Sequence, residues 1–219
     1  MHALEIQARS IRKKRALHID ALLLTVDLGI RLLLKRSSVG LSIVNVVATA
    51  ELSQSVDLWK LAQVDGFLYD QAIYHCAYLK DAKTRAKVSI FSTGKMVSIG
   101  TRNLADSKHD LKYAAKRLAD LELTHPAKIS VKLQNIVATA RLSQNLDIEN
   151  LARTLPHVIY EPDQFPAAIY HSKELDGASM LIFSSGKIVF AGLRARGQLA
   201  TARKIAVSLT KLVNSSSQG

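Results

Sequence analysis

The sequence predicts an α+β fold: one curved antiparallel sheet with two long helices on its convex face, built from two direct repeats about a pseudo-twofold. Three observations predict it. The first is a stretch written twice: residues 41–62 read LSIVNVVATAELSQSVDLWKLA and residues 131–152 read VKLQNIVATARLSQNLDIENLA. The second is a later pair in the same order, IFSTGKMVSIG at 90–100 and IFSSGKIVFAG at 182–192. The third is one long amphipathic helical pattern closing each unit, at 103–123 and 196–213. Two copies do not make a solenoid, which needs three or more, so the chain is an intramolecular pseudo-dimer.

Each element has its own signal. In 43–50, Ile43, Asn45, Val47 and Thr49 alternate with Val44, Val46, Ala48 and Ala50, the period of a half-buried strand. The segment after it, with Ser55 or Asp57 as cap, reads as a turn and a short helix. A strand near 69–79, a polar turn at 80–86 and a hairpin of strands 87–92 and 95–100 follow, joined at Ser92-Thr93-Gly94. Leu104, Leu111, Ala114, Ala115, Leu118 and Leu121 form the stripe of the long helix, and His125-Pro126 ends the unit. The second unit repeats this order: strand 129–140, short helix 147–154, strand 165–173, hairpin 180–192 around Ser184-Ser185-Gly186, and the closing helix. The expected division is an amino-terminal extension 1–38, repeats at 39–125 and 126–213, and a frayed tail 214–219.

Composition narrows the function. The 219 residues carry a formal net charge of +12, of which +5 belongs to residues 1–38, so the repeats are themselves basic and suit a polyanion. The single cysteine, Cys76, excludes an internal disulfide framework and a cysteine-rich metal site. The apolar run ALLLTVDLGIRLLL at 21–34 is short for a bilayer and interrupted by Asp27 and Arg31, so no membrane association is expected. A packed helix, a partner-binding arm and an over-long start all remain open for residues 1–38. No HExxH, Cys/His cluster, phosphate-cradling glycine loop or nucleophile elbow is present, and neither an enzyme, a cofactor, a metal nor a small-molecule substrate is expected.

The strand face opposite Val44, Val46 and Ala48 carries Asn45, Val47 and Thr49. On the hairpins the same side is expected to hold Phe91, Val97 and Ile99, and Phe183, Val189 and Ala191. On the second strand of each half it is expected to hold Tyr69, Ile73 and His75, or Phe165, Ile169 and His171. An exposed apolar sheet face rimmed by His75, Lys95, Arg102, His171, Lys173, Lys187 and Arg194 is a binding surface.

At these residues the chain resembles the TATA-box-binding protein family. The doubled Asn-x-Val-Ala-Thr, the stretch Glu161-Pro162-Asp163-Gln164-Phe165-Pro166-Ala167-Ala168-Ile169-Tyr170 and the run Ile182-Phe183-Ser184-Ser185-Gly186-Lys187-Ile188-Val189 carry the likeness, which covers 41 to about 213. The resemblance implies a saddle that binds the minor groove of AT-rich promoter DNA, wedges aromatic side chains between base steps and bends the duplex. It assigns wedge positions to Phe91, Phe165, Phe183 and, opposite Phe165, Tyr69. The groove floor would fall to Asn45, Val47, Ile99, Asn135, Val137 and Ala191. Phosphate contacts would fall to the rim cations named above, with His75 and His171 standing where the family usually has arginine, a stronger cation at neutral pH. Glu161 and Asp163 match the acidic patch that recruits transcription factor B, through which RNA polymerase is reached indirectly.

Several departures accompany the likeness. Ile99 and Ala191 replace the family's usual threonines. The first half looks six residues shorter before its second strand and four longer at 79–87. Tyr69, Ile99, Ala191 and the two histidines favour an alternative reading, a divergent member that acts mainly as a protein-interaction module titrating transcription factor B or a regulator, with weak or non-TATA DNA binding. The absence of a low-complexity leader leans towards an archaeal source and a cytoplasmic, nucleoid-associated location; a eukaryotic source would imply the nucleus.

Overall fold

The structure, a computed structural model, describes residues 39–216, with side chains as far as 212. The expectations for residues 1–38 and for 217–219 lie outside the described residues. The first repeat runs β1 (Ser42–Glu51), α1 (Leu58–Leu61), β2 (Phe67–Leu68), β3 (Ala77–Leu79), β4 (Lys87–Ile90), β5 (Lys95–Thr101) and α2 (Leu104–Asp120). The second runs β6 (Lys132–Arg141), α3 (Ile148–Thr154), β7 (Val158–Ile159), β8 (Ala167–His171), a 3-10 turn (Lys173–Leu175), β9 (Ser179–Phe183), β10 (Lys187–Leu193) and α4 (Arg196–Ser216). Because α4 reaches Ser216, the tail begins later than the expected residue 214. All ten strands form one sheet in the order β2-β3-β4-β5-β1-β6-β10-β9-β8-β7. Every pairing is antiparallel, and the order is a palindrome about the β1–β6 pair.

The helices cover one face. Val46, Ala48 and Ala50 of β1 and Ile136, Ala138 and Ala140 of β6 are buried beneath them. Leu111, Ala114 and Leu118 of α2 close the first core, and Ala202, Ala206 and Leu209 of α4 close the second. Each fully buried leucine contributes about 1.5–3 kcal/mol from area alone. The cores exchange strand ends: Val39, Leu41 and Ile43 pack with the second-half cluster, and Ile129 and Val131 with the first. A register shift at Val44 corrects the simple alternation, since it sets Ile43 opposite the buried Ala138 and on the helix side.

Asn103 caps α2, its side-chain carbonyl accepting from Asp106 N at 2.8 Å. At α4 a glutamine does this work from inside the first turn: Gln198 Oε1 accepts from the backbone nitrogens of Arg194 and Ala195. The turn after the first strand of each half is tied to the neighbouring hairpin. Leu52 N and Val56 N donate to Gly94 O and Ser92 O, and Leu142 N and Leu146 N donate to Gly186 O and Ser184 O. Gly94 adopts φ +83°, and a Cβ there would stand 2.0 Å from Gln54 O. The sequence therefore needs glycine at this turn.

The expected strand near 69–79 is broken. Asp70 folds the chain instead: its carboxylate accepts from Ala72 N at 2.9 Å, and its carbonyl accepts from Ile73 N and Tyr74 N. Only β2 and β3 remain paired on either side of this turn. The second half folds identically at Glu161, whose carbonyl accepts from Gln164 N and Phe165 N, so Phe165 precedes β8 and Lys173 follows it in the 3-10 turn. Gly66 at φ +88° and His157 at φ +62° mark the same point of the two halves. The halves are thus nearly equal in length, which corrects the expected six-residue and four-residue differences. Phe67 pairs with Leu79 as Val158 pairs with Tyr170, and Ala77 with Ile90 as Ala168 with Ile182.

Candidate nucleic-acid interface

The sheet face away from the helices is open, and its centre is a square of four side chains. Asn45 stands opposite Val137, and Val47 opposite Asn135, across the β1–β6 pair. Asparagine mid-strand needs a reason, and the fold supplies one. The positive-φ glycines Gly100 and Gly192 bulge out of β5 and β10, and their freed N–H groups donate to Asn45 Oδ1 at 2.9 Å and Asn135 Oδ1 at 3.1 Å. With each carbonyl held, each amide NH₂ is left as the donor on the open face. The A·T minor-groove edge offers only acceptors, N3 and O2, so the two groups match.

Away from the centre the face turns apolar. Val47 pairs with Ile99, and Thr49 with Val97. Thr139 pairs with Val189, which pairs with Leu181 and then Ile169. Ile99 is 43% and Phe165 39% exposed, high values for such side chains. Phe165 and Phe183 meet edge to face with ring centroids 6.2 Å apart, which brings two expected wedge residues together at the second end. Phe91 lies at the matching place beyond β4, where its N–H closes the hairpin on Lys95 O. Leu181 was not singled out from the sequence, although its place between Val189 and Ile169 was implied by alternation.

The expected counterpart of Phe165 in the first half is corrected. Because the Asp70 and Glu161 turns superimpose, the counterpart of Phe165 is Tyr74, and Tyr69 corresponds to Tyr160. Tyr69 packs on the first core, its ring 6.1 Å from that of Trp59, rather than on the open face. Tyr74 meets Tyr78 edge to face at 5.1 Å. The same register moves His75 opposite Pro166 and makes Lys80 the counterpart of His171, so His75 is not placed on the open face by strand alternation. The missed signal was the aromatic that follows the acidic turn by four residues in each half: Asp70 to Tyr74 and Glu161 to Phe165.

Cations rim the face. Lys95 and Lys187 open β5 and β10 opposite Glu51 and Arg141, and Arg102 and Arg194 follow the same strands; all four are exposed. Lys187 Nζ lies 5.9 Å from the Phe183 ring. His171 and Lys173 are exposed at the outer end of the second half, where His171 Nδ1 is 3.3 Å from Ser179 Oγ. Glu161 and Asp163 are exposed on the loop that carries Phe165. No group of His, Cys, Asp or Glu among the described residues is arranged to hold a metal, and no described helix is long and apolar enough to cross a membrane.

Comparison with known proteins gives the same pattern. The family model for transcription factor TFIID, or TATA-binding protein, matches residues 40–121 and again 130–212. The TATA-box-binding protein of Cenarchaeum symbiosum is 36% identical over 159 residues, covering 72% of this chain and 86% of that protein. That of Methanothermobacter thermautotrophicus is 35% identical over 179 residues, covering 80% of this chain and 94% of that protein. Among solved structures, the Methanococcus jannaschii TBP superposes with a TM-score of 0.68 at 27% identity, over 79% of this chain and 99% of that one.

Proposed function

This chain belongs to the TATA-binding protein family, and from that premise we propose that it is a transcription initiation factor that binds AT-rich promoter DNA in the minor groove, bends it and recruits transcription factor B. The observation that carries the reading is the pair of central amides, each fixed by a glycine N–H so that only its donor end is offered. Two donors at the centre, apolar side chains outward and cations at the rim match a groove floor of acceptors, sugar walls and phosphate edges.

The proposed wedges are Phe165 and Phe183 at one end and Tyr74 and Phe91 at the other. Unstacking a base step costs a few kcal/mol and is offset by the larger contact that a bent duplex makes with the sheet. Val47, Val137, Ile99 and Ala191 pack the groove floor by shape and leave no acceptor for a guanine amino group. Lys95, Lys187, Arg102, Arg194, Lys80, His171 and Lys173 take phosphates. Glu161 and Asp163 offer two exposed carboxylates beside the wedge for a basic segment of transcription factor B, and RNA polymerase follows through that factor. The repeats at 39–125 and 126–213 are the two arms of the saddle, and the archaeal relatives favour a nucleoid-associated location.

The test is fluorescence transfer between dyes at the ends of an AT-rich duplex, over a salt series, with and without transcription factor B. Transfer should rise on binding, and a Phe165→Ala/Phe183→Ala variant should lose the bend and at least about tenfold in affinity, ~1.4 kcal/mol. The absence of hydroxyls at Ile99 and Ala191 favours a second reading, a member that titrates transcription factor B. Retained binding of that factor with no bending of any AT-rich duplex would select it.

A further inference from the structure

The two arms differ most at the outer end of the first, and we infer that Lys87 is a charged groove contact that this arm alone possesses, so that the saddle grips DNA by unlike means at its two ends. The inference rests on the DNA-binding reading above and goes beyond it.

Lys87 opens β4 directly opposite Ile99, whose side chain is on the open face, so Lys87 shares that face. Its counterpart in the second arm is Ser179, opposite Ala191. The surroundings change with it. Tyr78 replaces Ile169, and the Lys87 ammonium lies 4.2 Å from the centroid of the Tyr78 ring, with Tyr74 edge-on beyond. Lys80 replaces His171, and Tyr74, Tyr78, Lys80 and Lys87 line one open recess. Where the second arm has a serine paired with a histidine, the first has Lys80 and Lys87 in one recess with two tyrosines.

Lys87 enters no ion pair among the described residues. Its contact with Tyr78 holds the long stem across the sheet while the head stays at the surface. An exposed ammonium with a second lysine in the same recess adds little to folding. It does match the negative potential along the groove, where a cation neutralises phosphate charge. Both arms carry wedges and rim cations, and the first adds a charge on the groove face itself.

The test is the salt dependence of binding to an AT-rich duplex. Replacing Lys87 with the residue of the second arm, Lys87→Ser, should lower the slope of log K against log salt by about 0.9, one phosphate equivalent. Lys87→Arg should keep the slope. Lys83→Ser, a lysine whose ammonium sits 6.0 Å from the Tyr113 ring, should leave it unchanged. A parental slope in Lys87→Ser, or a slope lost equally in Lys87→Arg and Lys87→Ser, would overturn the inference. Absence of salt-dependent binding by the unsubstituted chain would instead overturn the DNA-binding reading on which it stands.

Discussion

Replacing Asp110 should loosen the first arm without touching the open face. Asp110 is completely buried on α2, and its two carboxylate oxygens accept from Arg85 N and Ala86 N at 2.9 Å each. These bonds fasten the 80–86 segment, which begins at Lys80 and leads into β4. At the corresponding place on α4 stands Ala202, where the 3-10 turn Lys173–Leu175 makes its own internal bonds and needs no such anchor. A hydrogen bond to a charged group contributes roughly 1.5–3 kcal/mol, so Asp110→Ala should cost about 3–5 kcal/mol. Asp110→Asn keeps one acceptor but turns an NH₂ towards the other backbone donor, and about 2–3 kcal/mol should be lost. Urea unfolding followed by circular dichroism measures both, with the midpoint falling and the slope unchanged. A loss below about 1 kcal/mol in Asp110→Ala would refute the reasoning, because the buried Ala86 N–H and the part-buried Arg85 N–H cannot lose a charged acceptor so cheaply.

Two further outcomes follow from the same geometry. Gly94→Ala forces a side chain into a positive-φ turn and against the Gln54 carbonyl; a loss of at least about 2 kcal/mol is expected, read as a fall of several degrees in the melting temperature, and an unchanged melting temperature would contradict the close approach. Asp81 should make stability acid-sensitive. Burial pushes its carboxyl up, but the Tyr113 hydroxyl, the backbone N–H groups of Lys83 and Thr84 and the charge of Arg117 together hold it below its usual value. A carboxyl lowered in the folded state adds stability above its unfolded pKa of about 3.9, and that stability is lost as pH falls through the lower, folded value. Tyr113→Phe should therefore flatten the dependence of the urea midpoint on pH below about 4, and an equally steep dependence would exclude Asp81 as its source.

What the sequence disclosed and what it hid have physical causes. The doubled core was legible because strand alternation and helix stripes repeat at constant spacing, and so were the two asparagines, Phe91, Phe165 and Phe183. The register between Gln63 and Ala86 was not. Its corresponding turn residues, Gly66 and His157, share a backbone conformation but no chemistry, and two tyrosines at 69 and 74 competed for one position. The Asp70 and Glu161 carbonyl bonds, with the β2–β3 and β7–β8 registers, settle which tyrosine matches Phe165. The partner of each central asparagine was within reach, since Ile99-Gly100 and Ala191-Gly192 end both hairpins alike. That those glycines offer N–H groups depends on bulges that no residue pattern announces.

The exchange of strand ends between the cores decides how the molecule carries load. Because β1 begins against the second-half cluster and ends against the first, while Ile129 and Val131 lead β6 across the other way, there is no plane along which the halves part. The centre is a lap joint rather than a pivot. Under the proposed binding to a duplex, a sheet braced in this way would hold its shape across the middle and leave the DNA to bend.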